Sequence, residues 1–262
     1  MSGDSWIVSQ IRSFFAIAIY TFRNLLREKI LYTLFFVAIF LLMIGYLAAL
    51  LVWGRQDRIL LHFGTFVNAL AVLAVSLGAG SSVLRTEIEN RSIYLLLARP
   101  VHRGILLVSK WAGISLFTLA YSTLLMCVVG AGILFLGGPV KGAFFQSFGL
   151  VFVESLLASA ASIFLSFFLR PGLSAVTCLA YLFLGHNHDQ ISYLIKKGAA
   201  IPGVLVVLRG ITPDLSLLLM DTRVFYDQPL ASSEFILRAG YGFGWAFMFV
   251  LFGNAVFFRK NL

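Results

Sequence analysis

Six stretches of twenty or more mostly apolar residues, all but the last two separated by short segments, constrain this chain more than any other feature. They run 30–53, 59–84, 105–136, 144–169, 173–195 and 235–258. A helix needs about 20 apolar residues to cross the hydrocarbon core of a bilayer. In lipid every backbone N–H and C=O must be satisfied inside the protein, so such runs read as helices rather than lone strands. The composition agrees, with 60% hydrophobic and 12% charged residues. A soluble domain carries about 25% charged residues and could not cover itself with what remains here. The predicted fold class is therefore an all-α membrane protein with six transmembrane helices in a single domain, 1–262. The fifth run is interrupted by His186-Asn187-His188-Asp189, which predicts a span that is short or broken near one end.

The formal charge of +9 does not point to nucleic acid, because the basic residues sit between apolar runs rather than on one solvated face. They fix orientation instead. With the N-terminus inside, the cytoplasmic segments hold twelve basic residues against four acidic ones. Much of the remaining charge falls in the long 186–234 segment, and long loops weigh little in the positive-inside rule. Both termini are expected in the cytoplasm, in a multi-pass protein of the cytoplasmic (inner) membrane. In 186–234, the apolar pieces Val204–Leu208 and Leu215–Met220 are too short to span and read as interfacial or re-entrant on the outer side. Cys127 and Cys178 lie in apolar runs and read as packing residues.

Ahead of the first run, residues 9–29 place Ile11, Phe14, Phe15, Ala18, Phe22, Leu25 and Leu26 on one helical face. Arg12, Ala16, Tyr20, Arg23 and Arg27 fall on the other. A cleavable signal would show one compact apolar core and a small-residue cleavage site. The pattern instead predicts an amphipathic helix lying in the interface.

Between the second and third runs, 85–104 reads Arg-Thr-Glu-Ile-Glu-Asn-Arg-Ser-Ile-Tyr-Leu-Leu-Leu-Ala-Arg-Pro-Val-His-Arg-Gly, with Lys110 just beyond. Thr86 and Glu89 have capping-box spacing and predict the start of a short helix. Pro100 ends it. Ile93, Leu96 and Leu97 then share a face ringed by arginines, which suits either a partner's groove or the headgroup surface.

The pattern Glu-Ile-Glu-x-Arg-Ser-Ile-Tyr-x-Leu-Leu-x-Arg-Pro-Val-x-Arg, with a lysine entering the next run, resembles the loop of ABC-2 type transporter permeases. It is most similar to the branch that includes the nitrous-oxide-reductase maturation permeases. Ser92 stands where that family often has threonine. The resemblance implies a type V exporter-like transmembrane domain with an amphipathic elbow helix. It implies a half-transporter that pairs with a second permease subunit, identical or related, and couples to a separate ABC ATPase subunit. By analogy Glu87, Glu89, Arg91, Ile93, Leu96, Leu97, Pro100 and Arg103 belong to the ATPase-coupling region. No Gly-x4-Gly-Lys-Ser/Thr phosphate loop occurs, so this chain is expected to be non-catalytic and without cofactor, with ATP and Mg bound by the partner. A complex working mechanically on an outer-side partner is the alternative within the same family.

Polar residues within the runs are the remaining candidates. Ser155, Ser159, Ser162 and Ser166 recur at helical spacing, as do Ser115, Thr118 and Ser122. Such lines serve close helix packing or line a pathway. Glu154 is the one acidic residue inside an uninterrupted run, at the outer end of the serine line, where intramembrane carboxylates are costly and often functional. Asn68 and Asn254 are lesser candidates. His186, His188 and Asp189 have metal-ligand chemistry, but histidines two apart on a helix diverge, so a polar hinge is the simpler reading and no metal is expected. An intramembrane hydrolase would need a nucleophile paired with a base at depth. No Gly-x-Ser-x-Gly elbow occurs, and His62 and His102 lie near run ends.

Overall fold

A computed structural model describes residues 3–51, 56–89, 103–197, 202–220, 223–224, 226 and 228–259. Among them the structure is all helical: α1 Gly3–Leu25, α2 Lys29–Leu50, α3 Gln56–Glu89, α4 Arg103–Phe135, α5 Gly142–Ser166, α6 Pro171–His186, α7 His188–Lys196, α8 Pro202–Ile211, a 3₁₀ turn at Leu215–Leu218, and α9 Ser232–Arg259. Five helices, α2, α3, α4, α5 and α9, are long and apolar enough to cross a membrane. The chain is a multi-pass membrane protein by this architecture.

The fifth run departs from the predicted 173–195 span. Pro171 opens α6, where its missing N–H costs nothing, and the helix stops at His186 after 16 residues. That is roughly 24 Å, short of the ~30 Å hydrocarbon core. The polar run His186-Asn187-His188-Asp189 marks the break, and α7 starts on its far side.

α5 forms the axis of the bundle and packs on α3, α4, α6 and α9. Its sequence explains this. Ala158, Ala160 and Ala161 alternate with Ser155, Ser159 and Ser162, so the helix is narrow on every side and its neighbours approach closely. Lipid tails are as apolar as leucine, so close packing and interhelical hydrogen bonds, rather than water exclusion, hold such helices together. A Cβ at Gly80 of α3 would lie 2.9 Å from the Ser159 carbonyl oxygen, so only glycine permits this crossing. There Ser162 Oγ donates to the Leu77 carbonyl at 2.9 Å. Trp111 of α4 donates Nε1–H to the Leu156 carbonyl at 3.2 Å.

α1 packs along α4 and buries Ala18, Thr21 and Leu25, with Gly113 beneath Ala18 and Thr21. Ile11, Phe15, Ile19 and Leu26 stay exposed. The helix therefore begins and ends earlier than the predicted 9–29 and carries two apolar faces, one on protein and one open. α2 presents Phe36, Phe40, Met43 and Leu47 outward, a row suited to lipid.

At the end of the bundle remote from the end of α3 and the start of α4, α7, α8 and the 3₁₀ turn form a cap. The two apolar pieces of 186–234 have different fates. Val204, Val206 and Val207 of α8 are exposed, whereas Leu215 and Leu218 are buried against α5, α6 and α9. The Tyr181 hydroxyl donates to the Ile211 carbonyl at 3.0 Å, so the end of α8 lies level with the interior of α6 rather than beyond its tip. Gln146 clips the returning chain to α5, donating to the Leu230 carbonyl at 3.0 Å and accepting from the Leu230 N–H at 2.7 Å.

Candidate functional site

Glu154 is the central residue of the 25-residue α5, twelve residues from either end. Its side chain is 3% exposed. At 1.5 Å per residue it lies roughly 18 Å from each helix terminus. An unpaired carboxylate there would be prohibitively costly. Its partner is His186, whose Nε2 stands 2.7 Å from Glu154 Oε1. A contact this short holds one proton between imidazole nitrogen and carboxyl oxygen. Among the described residues no other basic side chain lies within ion-pair distance of Glu154.

The break in the fifth run brings the imidazole to this depth. Asn187 leaves helical geometry at φ −97°, ψ 24°, and its side chain donates to the Phe183 carbonyl at 2.8 Å, capping α6 where it stops. His186 is thus the last residue of α6, next to carbonyl groups whose aligned dipoles favour a positive neighbour. Gly185 lets the cap grip this terminus. A Cβ there would lie 2.8 Å from the Pro213 carbonyl oxygen and 2.9 Å from the Leu215 side chain.

His188, two residues on, faces the cap. Its Nε2 is 3.1 Å from the Arg209 carbonyl oxygen and its Nδ1 is 3.6 Å from Asp214 Oδ2. Asp214 is held in turn: its Oδ1 accepts from the Ser216 N–H at 3.1 Å, and its own N–H donates to the Tyr241 hydroxyl at 2.8 Å. The two histidines that bracket Asn187 therefore bind carboxylates on different elements, one in the bundle and one in the cap. Asp189 is exposed. His186, His188 and Asp189 do not converge, and no group of three metal-capable side chains occurs among the described residues.

The serine line lies inside the bundle. Ser155, Ser159, Ser162 and Asn68 are each at most 1% exposed. Ser155 and Ser159 donate to carbonyls three residues back on α5, those of Phe152 at 2.7 Å and Leu156 at 3.0 Å. Ser155 also meets Thr118 of α4 at 3.4 Å. Ser122 of α4 donates to Asn68 Oδ1 of α3 at 3.2 Å, and Ser174 of α6 donates to the Ser162 carbonyl at 3.1 Å. These hydroxyls occupy close helix approaches within the chain.

In the loop region, Glu87 and Glu89 belong to the last turns of α3, and Arg103 opens α4. Thr86 does not begin a helix; α3 runs through it to Glu89. The capping-box spacing is a local preference, and here the α3 helix simply continues across it. Arg91, Ile93, Leu96, Leu97 and Pro100 lie outside the described residues. Lys110, which sequence alone placed at the membrane edge, is 1% exposed and is among the largest fully buried side chains of the described residues.

Sequence reasoning missed the pairing of Glu154 with His186. The available signal was that these were the polar exceptions in neighbouring apolar runs, but partner choice depends on how far α6 climbs beside α5. No family model and no curated protein matches the chain.

Proposed function

We propose that the chain is the membrane-spanning permease subunit of an ABC-2 type ATP-binding-cassette transporter, with export as its direction. Two permease subunits build the pathway, and a separate ATPase subunit binds ATP and Mg and supplies the energy. The observation that carries this reading is the 87–103 residue pattern, ending in Arg-Pro-Val-x-Arg, together with its place between α3 and α4. Those helices have 34 and 33 residues. Each is roughly 50 Å long against a ~30 Å hydrocarbon core, which supports a loop that stands clear of the bilayer where a soluble subunit can meet it. With the basic segments inside, the loop, both termini and the ATPase share the cytoplasmic side.

Leu96 and Leu97 carry the docking energy in this reading. Burying one leucine contributes about 1.5–3 kcal/mol, and a carboxylate in its place adds the cost of desolvating an unpaired charge. Leu96→Asp or Leu97→Asp uncouples the ATPase while membrane insertion proceeds. Co-purification of an ATPase from native membranes, beside membrane yield, is the measurement. Full co-purification and full transport in both variants would remove the reading's main support.

A further inference from the structure

A groove opens where the end of α1, the start of α2 and the middle of α4 meet. It is a cavity of about 230 Å³, lined by Leu25, Leu26, Tyr32, Phe35, Phe117 and Tyr121, and almost wholly apolar. Two features give it a specific character. Tyr121 is 8% exposed and packed against the rings of Phe35 and Phe117, yet its buried hydroxyl has no hydrogen-bond partner in the structure. A buried polar group left alone in an apolar wall calls for an explanation. The rim is basic. Arg23, Arg27 and Lys29 are exposed around the α1–α2 turn, with Glu28 the one acidic residue among them. The apolar stretch of α2 begins at Tyr32, so the groove straddles the level at which headgroups give way to acyl chains.

One class of molecule matches this order of chemistry. A glycerophospholipid has an anionic phosphate, then ester carbonyls that only accept hydrogen bonds, then an alkyl chain. We propose that the groove binds one phospholipid molecule, its acyl chain between α2 and α4. The Tyr121 hydroxyl donates to an ester carbonyl, and the phosphate rests on Arg27 and Lys29. Annular lipid would exchange freely, whereas a chain seated here joins α1 to the bundle and is retained. The inference rests on the membrane architecture and stands apart from the transport reading.

The test uses the full chain reconstituted with equal amounts of phosphatidylglycerol and phosphatidylethanolamine, re-extracted in mild detergent and weighed by native mass spectrometry. The expected wild-type result is one retained phospholipid per chain, enriched in phosphatidylglycerol. Ala120 is an exposed residue of the same lining, so Ala120→Trp fills the groove and loses the lipid. Tyr121→Phe keeps the ring packing, removes only the hydroxyl and weakens retention about fivefold, the factor carried by one ordinary hydrogen bond. Arg27→Gln with Lys29→Gln abolishes the preference for phosphatidylglycerol. Absence of stoichiometric lipid in the wild type would overturn the proposal. So would equal retention in wild type and Ala120→Trp, or in wild type and Tyr121→Phe.

Discussion

His186 and Glu154 are 32 residues apart in sequence and 2.7 Å apart in space, at the mid-depth of α5. The contact joins a helix long and apolar enough to cross a membrane to the shorter apolar helix α6. His186 makes Glu154 tolerable, since a carboxylate only 3% exposed and left alone would be stranded among apolar side chains.

Removing one partner is therefore expected to cost more than removing both. His186→Leu strands the carboxylate and lowers stability by about 3–5 kcal/mol. Glu154→Leu combined with His186→Leu recovers most of that loss, because a well-packed apolar pair replaces a buried polar one at little net cost. Thermal unfolding in detergent of the wild type, both single variants and the double variant gives the coupling. Additive losses would show that the two side chains act independently.

Function and stability at Glu154 separate in Glu154→Gln, which keeps the shape and a hydrogen bond to His186. If the pair serves the pathway, this variant assembles at wild-type yield and alters substrate-stimulated ATPase of the reconstituted complex by tenfold or so, the weight of about 1.4 kcal/mol. Unchanged stimulation at full assembly would leave the pair a structural role only.

Gly80 sets two opposing effects against each other. Alanine gains about 1 kcal/mol in helix propensity. Its Cβ, however, would sit 2.9 Å from both the Ser159 carbonyl oxygen and Ser162 Cβ, pressing α3 away from α5. Overpacking of this kind costs about 1–3 kcal/mol, so Gly80→Ala is expected to be net destabilising by about 1 kcal/mol and Gly80→Val by more. A melting temperature at or above wild type would contradict the tight crossing.

The cap rests on His188 and Asp214. Asp214→Asn removes the charge facing His188, and hydrogen exchange across 188–218 is expected to rise several-fold while α5 stays protected. A uniform rise over the whole chain would mean that the substitution loosens the bundle and not the cap.

What the sequence disclosed depended on whether the cause was local. The runs that became α2, α4 and α5 were legible because twenty apolar residues admit one arrangement in lipid. The break beside Asn187 was legible because four polar residues in a row interrupt such a run. The Thr86–Glu89 pattern misled, since a capping box signals a helix start only where the chain before it is not already helical. Lys110 carried a charge that argued for the surface, and its burial depends on the other helices packing around α4. The Glu154 partner was invisible for the same reason: the choice lay in the relative heights of two helices.

The unbroken length of α3 has a mechanical consequence. Its crossing with α5 at Gly80 lies nine residues from Glu89 and twenty-four from Gln56. The arms are roughly 14 Å and 36 Å. A stiff rod pivoting at that crossing would be a lever of unequal arms, on which a small push at Glu89 would sweep Gln56 through more than twice the distance, in the opposite direction.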